Sequence, residues 1–360
     1  MNILILPGDG IGPEVTREGL KVISEISNIY NLNISTDHGL FGGVAVDELG
    51  TPFPIETKKK ILNSDAVLLG AVGGKQYDDL PKEKKPESGL LELRKKFNLF
   101  INIRPIISFK ELVNSSSIKS EYIDNLDIVI IRELISGLYF GEPRGFNLDN
   151  TEAFNTMRYN KLEIKRIAEY AFKLSQKRSK RLCSVDKANV LEVSQLWRLT
   201  VNELAKKYKN ITLDHLYVDN AAMQLVRNPK QFDVIVTENL FGDILSDVAS
   251  VLTGSIGMLP SASLNENNFG VYEPIHGSAP DIALQNIANP IATILSVAML
   301  FQYTYHREDI YKHILNAVKA TLRDNMVTKD LSNNREYIST SEMGDYIIKN
   351  IKGIWNEQKI

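Results

Sequence analysis

Cysteine is almost absent from this sequence, with Cys183 the only one among 360 residues. An intrachain disulfide and a cysteine-based metal site are therefore excluded, and we expect a cytoplasmic protein. No apolar run reaches the roughly 18 residues of a membrane-spanning helix. An excess of charge is also missing, because 42 basic and 44 acidic residues give a net charge of −2. This balance offers no electrostatic reason to expect nucleic acid or a membrane as a partner.

The chain has an ordinary globular composition, 43% hydrophobic and 24% charged, and is long enough for two domains. Strand and helix patterns alternate along it, which predicts an α/β fold with a largely parallel sheet. Residues 135–158 interrupt this alternation with glycine, proline and aromatic residues, and we predict an extended hairpin that reaches a partner. We predict a loop at 255–270. The strands are expected at 3–6, 66–69, 100–103, 128–131, 181–185, 212–218 and 232–237, and the main helices near 90–96, 161–177 and 193–208.

The turn after the first strand is rich in glycine, with Gly8, Gly10 and Gly12 followed by Pro13. This spacing does not match the GxGxxG fingerprint of dinucleotide-binding Rossmann folds. A tight connection from strand to helix explains the glycines at least as well as a ligand loop does.

Residues 237–254 predict a helix that carries two carboxylates, Asp243 and Asp247, four residues apart. Apolar residues recur there at helical spacing, so both carboxylates lie on one side of a core-facing helix. Two neighbouring anions repel each other. They indicate either a solvated acidic first turn or a site for a hard cation.

Three arginines lie at the ends of predicted strands or helices: Arg94, Arg104 and Arg132. Arg132 closes an apolar run, where a charged side chain is costly unless it is paired. A guanidinium binds a carboxylate through two parallel hydrogen bonds, so three convergent arginines would hold a di- or tricarboxylate. Taken singly, each is more often a surface residue or part of a structural ion pair.

Other polar residues follow predicted strands, where ligands gather in α/β folds. Asp219 follows one strand, and Lys187 and Asn189 follow another. Near a metal, Lys187 can act as a base, and Tyr139 can donate a proton, although most lysines are solvated and most tyrosines only pack. His276 stands in a His-Gly-Ser turn that suits either a nucleotide or a purely structural role.

Several long segments resemble one family, the β-decarboxylating dehydrogenases of 2-hydroxy acids, which act on isopropylmalate or isocitrate. The similarity extends from residue 8 to about 297. Its motifs are GDGIGPE, GLLELRKKFNLFINIRP, REL with GLYFGEPRG, VDKANVLE, YVDNAAMQLV, TENLFGDILSDVASVLTGSIGMLPSAS and EPIHGSAPDIA with NIANPIATILS. The resemblance implies a two-domain fold that is not Rossmann, with residues 1–99 and 253–360 in the first domain and 100–252 in the second.

The resemblance also implies roles for the residues above. Asp219, Asp243 and Asp247 would bind Mg²⁺ or Mn²⁺, with Asp219 and Lys187 supplied by the other subunit of a homodimer. Lys187 would help remove the hydroxyl proton, and Tyr139 would protonate the enolate. The residues expected to bind the substrate are Arg94, Arg104, Arg132, Asp219, Glu87, Leu90, Leu91 and Asn189.

For the cofactor, the resemblance implies NAD, because Asp281 would accept from the ribose 2′-hydroxyl and repel a 2′-phosphate. Two positions differ from the family pattern: Lys75 replaces a usual proline, and Leu284 replaces a usual glycine beside the cofactor loop. The residues expected to contact NAD are Gly74, Glu87, His276, Gly277, Ser278, Ala279, Asp281, Ile282 and Asn289.

The resemblance implies that the reaction is the oxidative decarboxylation of 3-isopropylmalate in leucine biosynthesis. Leu90 and Leu91 would form an apolar wall for the isopropyl group, and this wall would leave an isocitrate carboxylate unpaired; alternatively, both leucines only pack their helix. A sister activity on homoisocitrate, tartrate, malate or another 3-substituted malate remains open. So does a non-catalytic regulatory subunit, although Tyr139, Lys187 and the aspartates are all retained.

Overall fold

A computed structural model describes residues 1–333 and 336–357 as twelve strands and twelve α-helices joined by loops and short 3₁₀ turns. The strands are β1 (Asn2–Gly8), β2 (Ser35–His38), β3 (Ala66–Ala71), β4 (Ile101–Ile107), β5 (Asp127–Glu133), β6 (Arg144–Phe146), β7 (Ala153–Asn155), β8 (Arg181–Asp186), β9 (Thr212–Tyr217), β10 (Val234–Thr237), β11 (Pro260–Leu264) and β12 (Gly270–Pro274). The helices are α1 (Gly12–Ile29), α2 (Gly43–Leu49), α3 (Ile55–Leu62), α4 (Pro86–Lys96), α5 (Ser120–Ile123), α6 (Lys161–Gln176), α7 (Glu192–Ala205), α8 (Val218–Arg227), α9 (Asn239–Ser250), α10 (Ile291–Tyr303), α11 (Glu308–Arg323) and α12 (Thr340–Glu357).

Ten of the strands form one continuous sheet in the order β2-β1-β3-β12-β11-β4-β5-β10-β8-β9. Most neighbours are parallel, but β11 is antiparallel to both β12 and β4, and β4 is antiparallel to β5. The predicted α/β class with a mixed, largely parallel sheet is therefore confirmed. The boundary expected between the two domains falls between β11 and β4, and the division into domains stays a prediction.

Helices cover both faces of this sheet because its inner strands are apolar on both sides. In β1, Ile3 and Ile5 join one hydrophobic cluster, whereas Leu4 and Leu6 join another on the opposite face. The first cluster is continuous across the sheet. On the opposite face the apolar residues divide into one cluster around β1 and β3 and another around β5 and β10. A cavity lies between these two groups.

Two parts of the sequence prediction need comment. The segment 255–270 is not only a loop, because it contains β11, all five residues of which are buried. Pattern analysis missed this strand because its sequence, PSASL, is made mostly of small residues without alternation. The hairpin expected at 135–158 is present: β6 and β7 pair antiparallel at its centre.

The glycine-rich turn between β1 and α1 packs against a second loop. Gly8 and Gly10 have positive φ angles, and a Cβ on Gly10 would lie 2.0 Å from the carbonyl oxygen of Ser278. The amide of Ile11 donates to the same oxygen at 2.8 Å. The turn is thus a tight connection that supports residues 276–281. In the part of the chain described, no helix is long and apolar enough to cross a membrane.

Candidate active site

A cavity of about 390 Å³ is lined by residues at the carboxyl ends of β3, β5 and β12 and by Arg104 in the middle of β4. Its walls combine arginines with apolar side chains, as the sequence led us to expect. Of the predicted residues it brings together Glu87, Leu90, Leu91, Arg94, Arg104, Arg132, Tyr139, Asp243, His276 and Gly277. The cavity therefore brings together some of the residues proposed for substrate, proton donation and cofactor, with one of the aspartates proposed to bind a metal.

Arg132 and Arg104 converge on one carboxylate, that of Asp243. The Arg132 Nη1 donates to Asp243 Oδ1 at 2.7 Å, and the Arg104 Nη1 lies 3.4 Å from the same oxygen. Gly242 makes this approach possible, because a Cβ there would lie 2.6 Å from the Arg132 Cγ. Burial lowers the pKa of Arg132 to about 9, so the guanidinium still carries its charge at neutral pH.

Arg94 reaches the cavity from α4 and is paired within the chain. Its Nη2 donates to Glu273 Oε1 at 2.9 Å, and both side chains are largely buried. A substrate carboxylate at Arg94 must therefore share the guanidinium with Glu273 or displace it. The five N–H donors of an arginine allow such sharing.

Tyr139 follows β5 and places its hydroxyl in the cavity. The hydroxyl donates to Asp243 Oδ2 at 2.9 Å. Burial and the charge of Asp243 raise the pKa of Tyr139 above its ordinary value. The phenol thus keeps its proton at neutral pH, which is the protonation state that a proton donor requires.

The three aspartates proposed as metal ligands do not meet within one chain. Asp243 and Asp247 are neighbours on α9, and burial together with Asp243 raises the pKa of Asp247. Asp219, at the start of α8, is paired with Lys187 instead, and 68% of its side chain is exposed. Among the described residues no cluster of three His, Cys, Asp or Glu side chains could hold a metal ion. Carboxylate oxygens suit a hard cation, and within one chain only Asp243 and Asp247 of the three are neighbours.

Lys187 and Asn189 also lie outside the cavity of their own chain. The Lys187 Nζ donates to Asp219 Oδ1 at 2.9 Å, and this hydrogen bond lowers the pKa of Asp219. Asn189 is exposed in the turn before α7. The pair Lys187 and Asp219 therefore forms a charged surface unit that is separate from Asp243.

The loop after β12 has one feature that fits a nucleotide. The ring of His276 is buried, its Nδ1 lies 2.9 Å from the Gly277 carbonyl oxygen, and its Nε2 has no partner among the described residues. Burial lowers the pKa of His276, so the ring is neutral. An unpaired buried nitrogen beside the cavity is a group that a ligand can satisfy.

The other expected cofactor residues have varied surroundings. Ser278 is buried against the glycine-rich turn, while Asp281 is exposed. Asn289 is engaged inside the chain, since its Nδ2 donates to Asp330 Oδ2 at 3.0 Å and its Oδ1 accepts from the Ile291 amide. Gly74 precedes a short 3₁₀ turn, and Ala279 and Ile282 pack against Ile11, Val15 and Ala288.

Leu284, the departure from the family pattern, adopts a left-handed conformation with φ of 64° and is 88% exposed. A leucine pays roughly 1–2 kcal/mol for this backbone geometry, which glycine adopts freely. The backbone at Leu284 nevertheless has the left-handed conformation that a glycine would adopt there. The departure therefore affects the stability of the loop more than its shape.

Sequence reasoning missed several polar residues at this site. Glu273, Ser261 and Arg144 line the cavity. Asn102 and Asn239 are fully buried behind it and accept hydrogen bonds from Arg104 and Arg132. Each is a common residue type in a strand or helix, so its position alone gave no signal. The placement of Asn102 two residues before Arg104 in an apolar strand was the one available clue.

A cavity lined by several arginines, in a mixed and largely parallel sheet, is typical of enzymes that bind small polycarboxylic acids. The family model described as isocitrate/isopropylmalate dehydrogenase matches residues 2–347. The chain belongs to this family of oxidoreductases.

Relatives with curated names include the 3-isopropylmalate dehydrogenases of Hydrogenovibrio crunogenus and Nitrosomonas europaea. The first is 56% identical over 96% of this chain and 98% of its own length, and the second 53% identical over 98% and 99%. Among solved structures, isocitrate dehydrogenase from Methylococcus capsulatus is similar with a TM-score of 0.88 and 33% identity, covering 98% of this chain and 99% of that one.

Proposed function

We propose that this protein oxidatively decarboxylates 3-isopropylmalate to 4-methyl-2-oxopentanoate and CO₂, with reduction of NAD, as a step of leucine biosynthesis. One observation carries the proposal: a single cavity is lined both by the arginines Arg94, Arg104 and Arg132 and by the apolar residues Leu90 and Leu91. Such a site binds an acid with two carboxylates and one alkyl branch. The curated names of relatives more than 50% identical over nearly the whole chain support the same substrate.

The residues of this chain supply binding and proton transfer. The three arginines hold the two carboxylates, and the two leucines cover the isopropyl group. When bound, NAD accepts the hydride and a divalent cation stabilises the negative charge on the substrate oxygen. Asp243 and Asp247, with Asp219 of the partner subunit, would hold the cation. The neutral ring of His276 and the carboxylate of Asp281 would face the nucleotide, and Asp281 would disfavour NADP.

The reaction removes one proton and adds another. Lys187 of the partner subunit would help to remove the hydroxyl proton as the hydride leaves. After CO₂ departs, Tyr139 would give its proton to the carbon that lost the carboxylate. The raised pKa of Tyr139 suits this role, because the phenol does not ionise prematurely.

The proposal also includes a homodimer. Lys187 and Asp219 lie together on the surface, away from Asp243 of their own chain. Contact with a second copy would bring its Asp219 to the metal site and its Lys187 to the substrate hydroxyl. Phe146 and Leu148, at the exposed end of the β6–β7 hairpin, would contact the partner. A cytoplasmic location is part of the same proposal.

The test is the formation of reduced nicotinamide by the purified protein with Mg²⁺, comparing 3-isopropylmalate, isocitrate, malate and tartrate, each with NAD and with NADP. We expect fast turnover of 3-isopropylmalate with NAD. Leu90→Ala should lower kcat/KM for this acid about tenfold or more, and much less for malate, because about 2 kcal/mol of apolar contact involves the isopropyl group. Leu49→Ala, an exposed leucine remote from the cavity, is the control.

Preference for another acid would show that the family chemistry holds but the apolar-wall interpretation is wrong. A complete lack of turnover with all four acids would favour the non-catalytic regulatory subunit.

A further inference from the structure

Two of the arginines in the cavity are held from behind by neutral amides. Arg132 donates from Nε at 3.1 Å and from Nη2 at 2.7 Å to a single acceptor, Asn239 Oδ1. Arg104 donates from Nε at 2.8 Å to Asn102 Oδ1. All four side chains are buried. The two amides thus occupy equivalent positions, although they come from a helix and a strand far apart in the sequence.

The orientation of each amide is fixed by its other end. The Asn239 Nδ2 donates to the Ser136 carbonyl oxygen at 3.1 Å. The Asn102 Nδ2 donates to the Ala262 carbonyl oxygen at 3.3 Å and to Ser263 Oγ at 3.2 Å. Since the NH₂ groups must face these acceptors, the oxygens must face the guanidinium groups.

The neutrality of these acceptors matters for the charge left in the cavity. A buried arginine is commonly paired with a carboxylate, as Arg94 is with Glu273. Arg104 and Arg132 already share the single carboxylate of Asp243. A second carboxylate behind either of them would orient the guanidinium, but it would cancel much of the positive charge that remains for a substrate anion. An amide oxygen supplies the direction of the hydrogen bond without the opposing charge.

Asn239 has a second connection to the site. Its Nδ2 holds the carbonyl of Ser136, and the chain reaches Tyr139 three residues later. Its backbone N–H donates to the hydroxyl of Tyr159 at 2.9 Å. One side chain therefore fixes the position of Arg132 and the start of the segment that carries Tyr139.

We propose that Asn102 and Asn239 are positioning residues that orient Arg104 and Arg132 through neutral oxygen atoms, so that both guanidinium groups keep their charge for the carboxylates of the substrate. The inference rests on the proposed function for the identity of that substrate. Its physical content is that an acid in place of either amide weakens substrate binding even when the arginine remains oriented.

The test compares Asn239→Asp and Asn102→Asp with Asn239→Ala and Asn102→Ala in steady-state kinetics with 3-isopropylmalate, NAD and Mg²⁺. The Asp variants keep the acceptor, lose the Nδ2 donor and add a negative charge. Because the Ala variants lose the same donor, the added charge should show as a KM about tenfold or more above both wild type and the Ala variant. The Ala variants lose orientation, so their larger change should be in kcat. Asn239→Ala should have the stronger effect because of its link to Ser136.

Asn265→Asp is the matched control for the chemical change. This amide also donates from Nδ2 to a backbone carbonyl, that of Phe97, but it lies outside the cavity. We expect wild-type KM and kcat for it. Thermal unfolding of every variant identifies any that fails to fold. If the variants at one of the two positions, Asn102 or Asn239, do not fold, those at the other position test the inference.

A folded Asp variant with wild-type KM, or with the same KM as its Ala counterpart, would overturn the inference. Failure of the proposed function is a different result, because it is seen in the wild type. If wild type prefers another acid, the same variants are compared on that acid, and the expected order of KM values is unchanged.

Discussion

Three buried carboxyl groups lie at the ends of the neighbouring strands β5, β10 and β8: Glu133, Glu238 and Asp186. Glu133 contacts Arg166 at 3.3 Å, and Asp186 contacts Arg198 at 2.8 Å. Glu238 lacks such a cation in the described structure, and its Oε1 has no hydrogen-bond partner there. Burial, followed by the charges of Asp186 and Glu133, raises the pKa of Glu238 to about 8.

This arrangement predicts a pH dependence of stability. Because the pKa of Glu238 is higher in the folded than in the unfolded state, folding takes up a proton between these two values. The stabilisation is complete below the unfolded pKa and is lost as the pH rises through about 8. We expect the midpoint of thermal unfolding to fall between about pH 6 and about pH 9, and Glu238→Gln to reduce this fall.

Glu56→Gln, an exposed glutamate in the first turn of α3, is the control and should leave the fall unchanged. Differential scanning fluorimetry across the pH range measures all three proteins. Identical slopes for wild type and Glu238→Gln would mean that Glu238 is ionised and satisfied in the folded protein.

At the scale of residues, the sequence singled out the arginines that line the cavity but not the polar side chains that hydrogen-bond to them. Arg132 was identifiable because a charge at the end of an apolar strand needs a partner. Asn239 was not, because an asparagine at the start of a helix is commonplace. β5 and α9 come together only in the folded chain, where the Asn239 amide oxygen accepts hydrogen bonds from Arg132.

At the scale of elements, α8 and α9 share an unusual feature. Both expose apolar side chains, with Met223 52% exposed on α8 and Ile244 50% exposed on α9. The two helices pack on each other. We propose that the partner subunit covers these exposed side chains, because contiguous exposed apolar surface commonly marks a protein contact.

We predict that Met223→Glu dissociates the proposed dimer and abolishes turnover. A buried charge without a partner at the interface is costly, and the monomer lacks a complete set of metal ligands. Light scattering coupled to size-exclusion chromatography measures the oligomeric state. Leu62→Glu is the control, because Leu62 is 71% exposed on α3, away from these helices. A fully active monomeric Met223→Glu variant would refute the shared-site proposal.

The elements differed in how well pattern analysis found them. Strands such as β3 and β5 were predicted because they are continuous apolar runs. The antiparallel strand β11 was missed, and so was the exposed strand β2. Their residues are small or polar, and their strand conformation depends on neighbours that are distant in the sequence. The intrinsic strand propensity of their residues therefore did not predict these two strands.

At the scale of the whole molecule, Lys187 and Asp243 lie apart within one chain, and the proposed dimer would bring them together from different subunits. This proposal predicts how much activity a dimer of two different inactive variants should have. Lys187→Ala and Asp243→Asn should each abolish turnover as pure dimers. In a mixed dimer, one site would contain both defects and the other would be intact. Each mixed dimer therefore keeps one intact site of two, so we expect the purified mixed species to recover about half of wild-type activity.

The control mixes Asp243→Asn with Asp247→Asn. Both aspartates belong to the same half of a site, so every site in this mixture carries a defect and no activity should return. Subunits are exchanged by co-expression with two different tags, and the mixed species is purified before assay. Recovery in the control, or none in the test mixture, would contradict the exchange of residues between subunits.

The place of β12 in the sheet has a consequence for the order of folding on the ribosome. β3 ends at Ala71, yet its neighbour β12 begins only at Gly270. All five strands from β4 to β10 that belong to the main sheet are synthesised in between. Until the chain returns, β3 has an apolar edge open to wrong pairing, which is the kind of edge that chaperones shield. The strands from β4 to β10 can thus pair before β12 is synthesised, whereas β3 gains its second neighbour only afterwards.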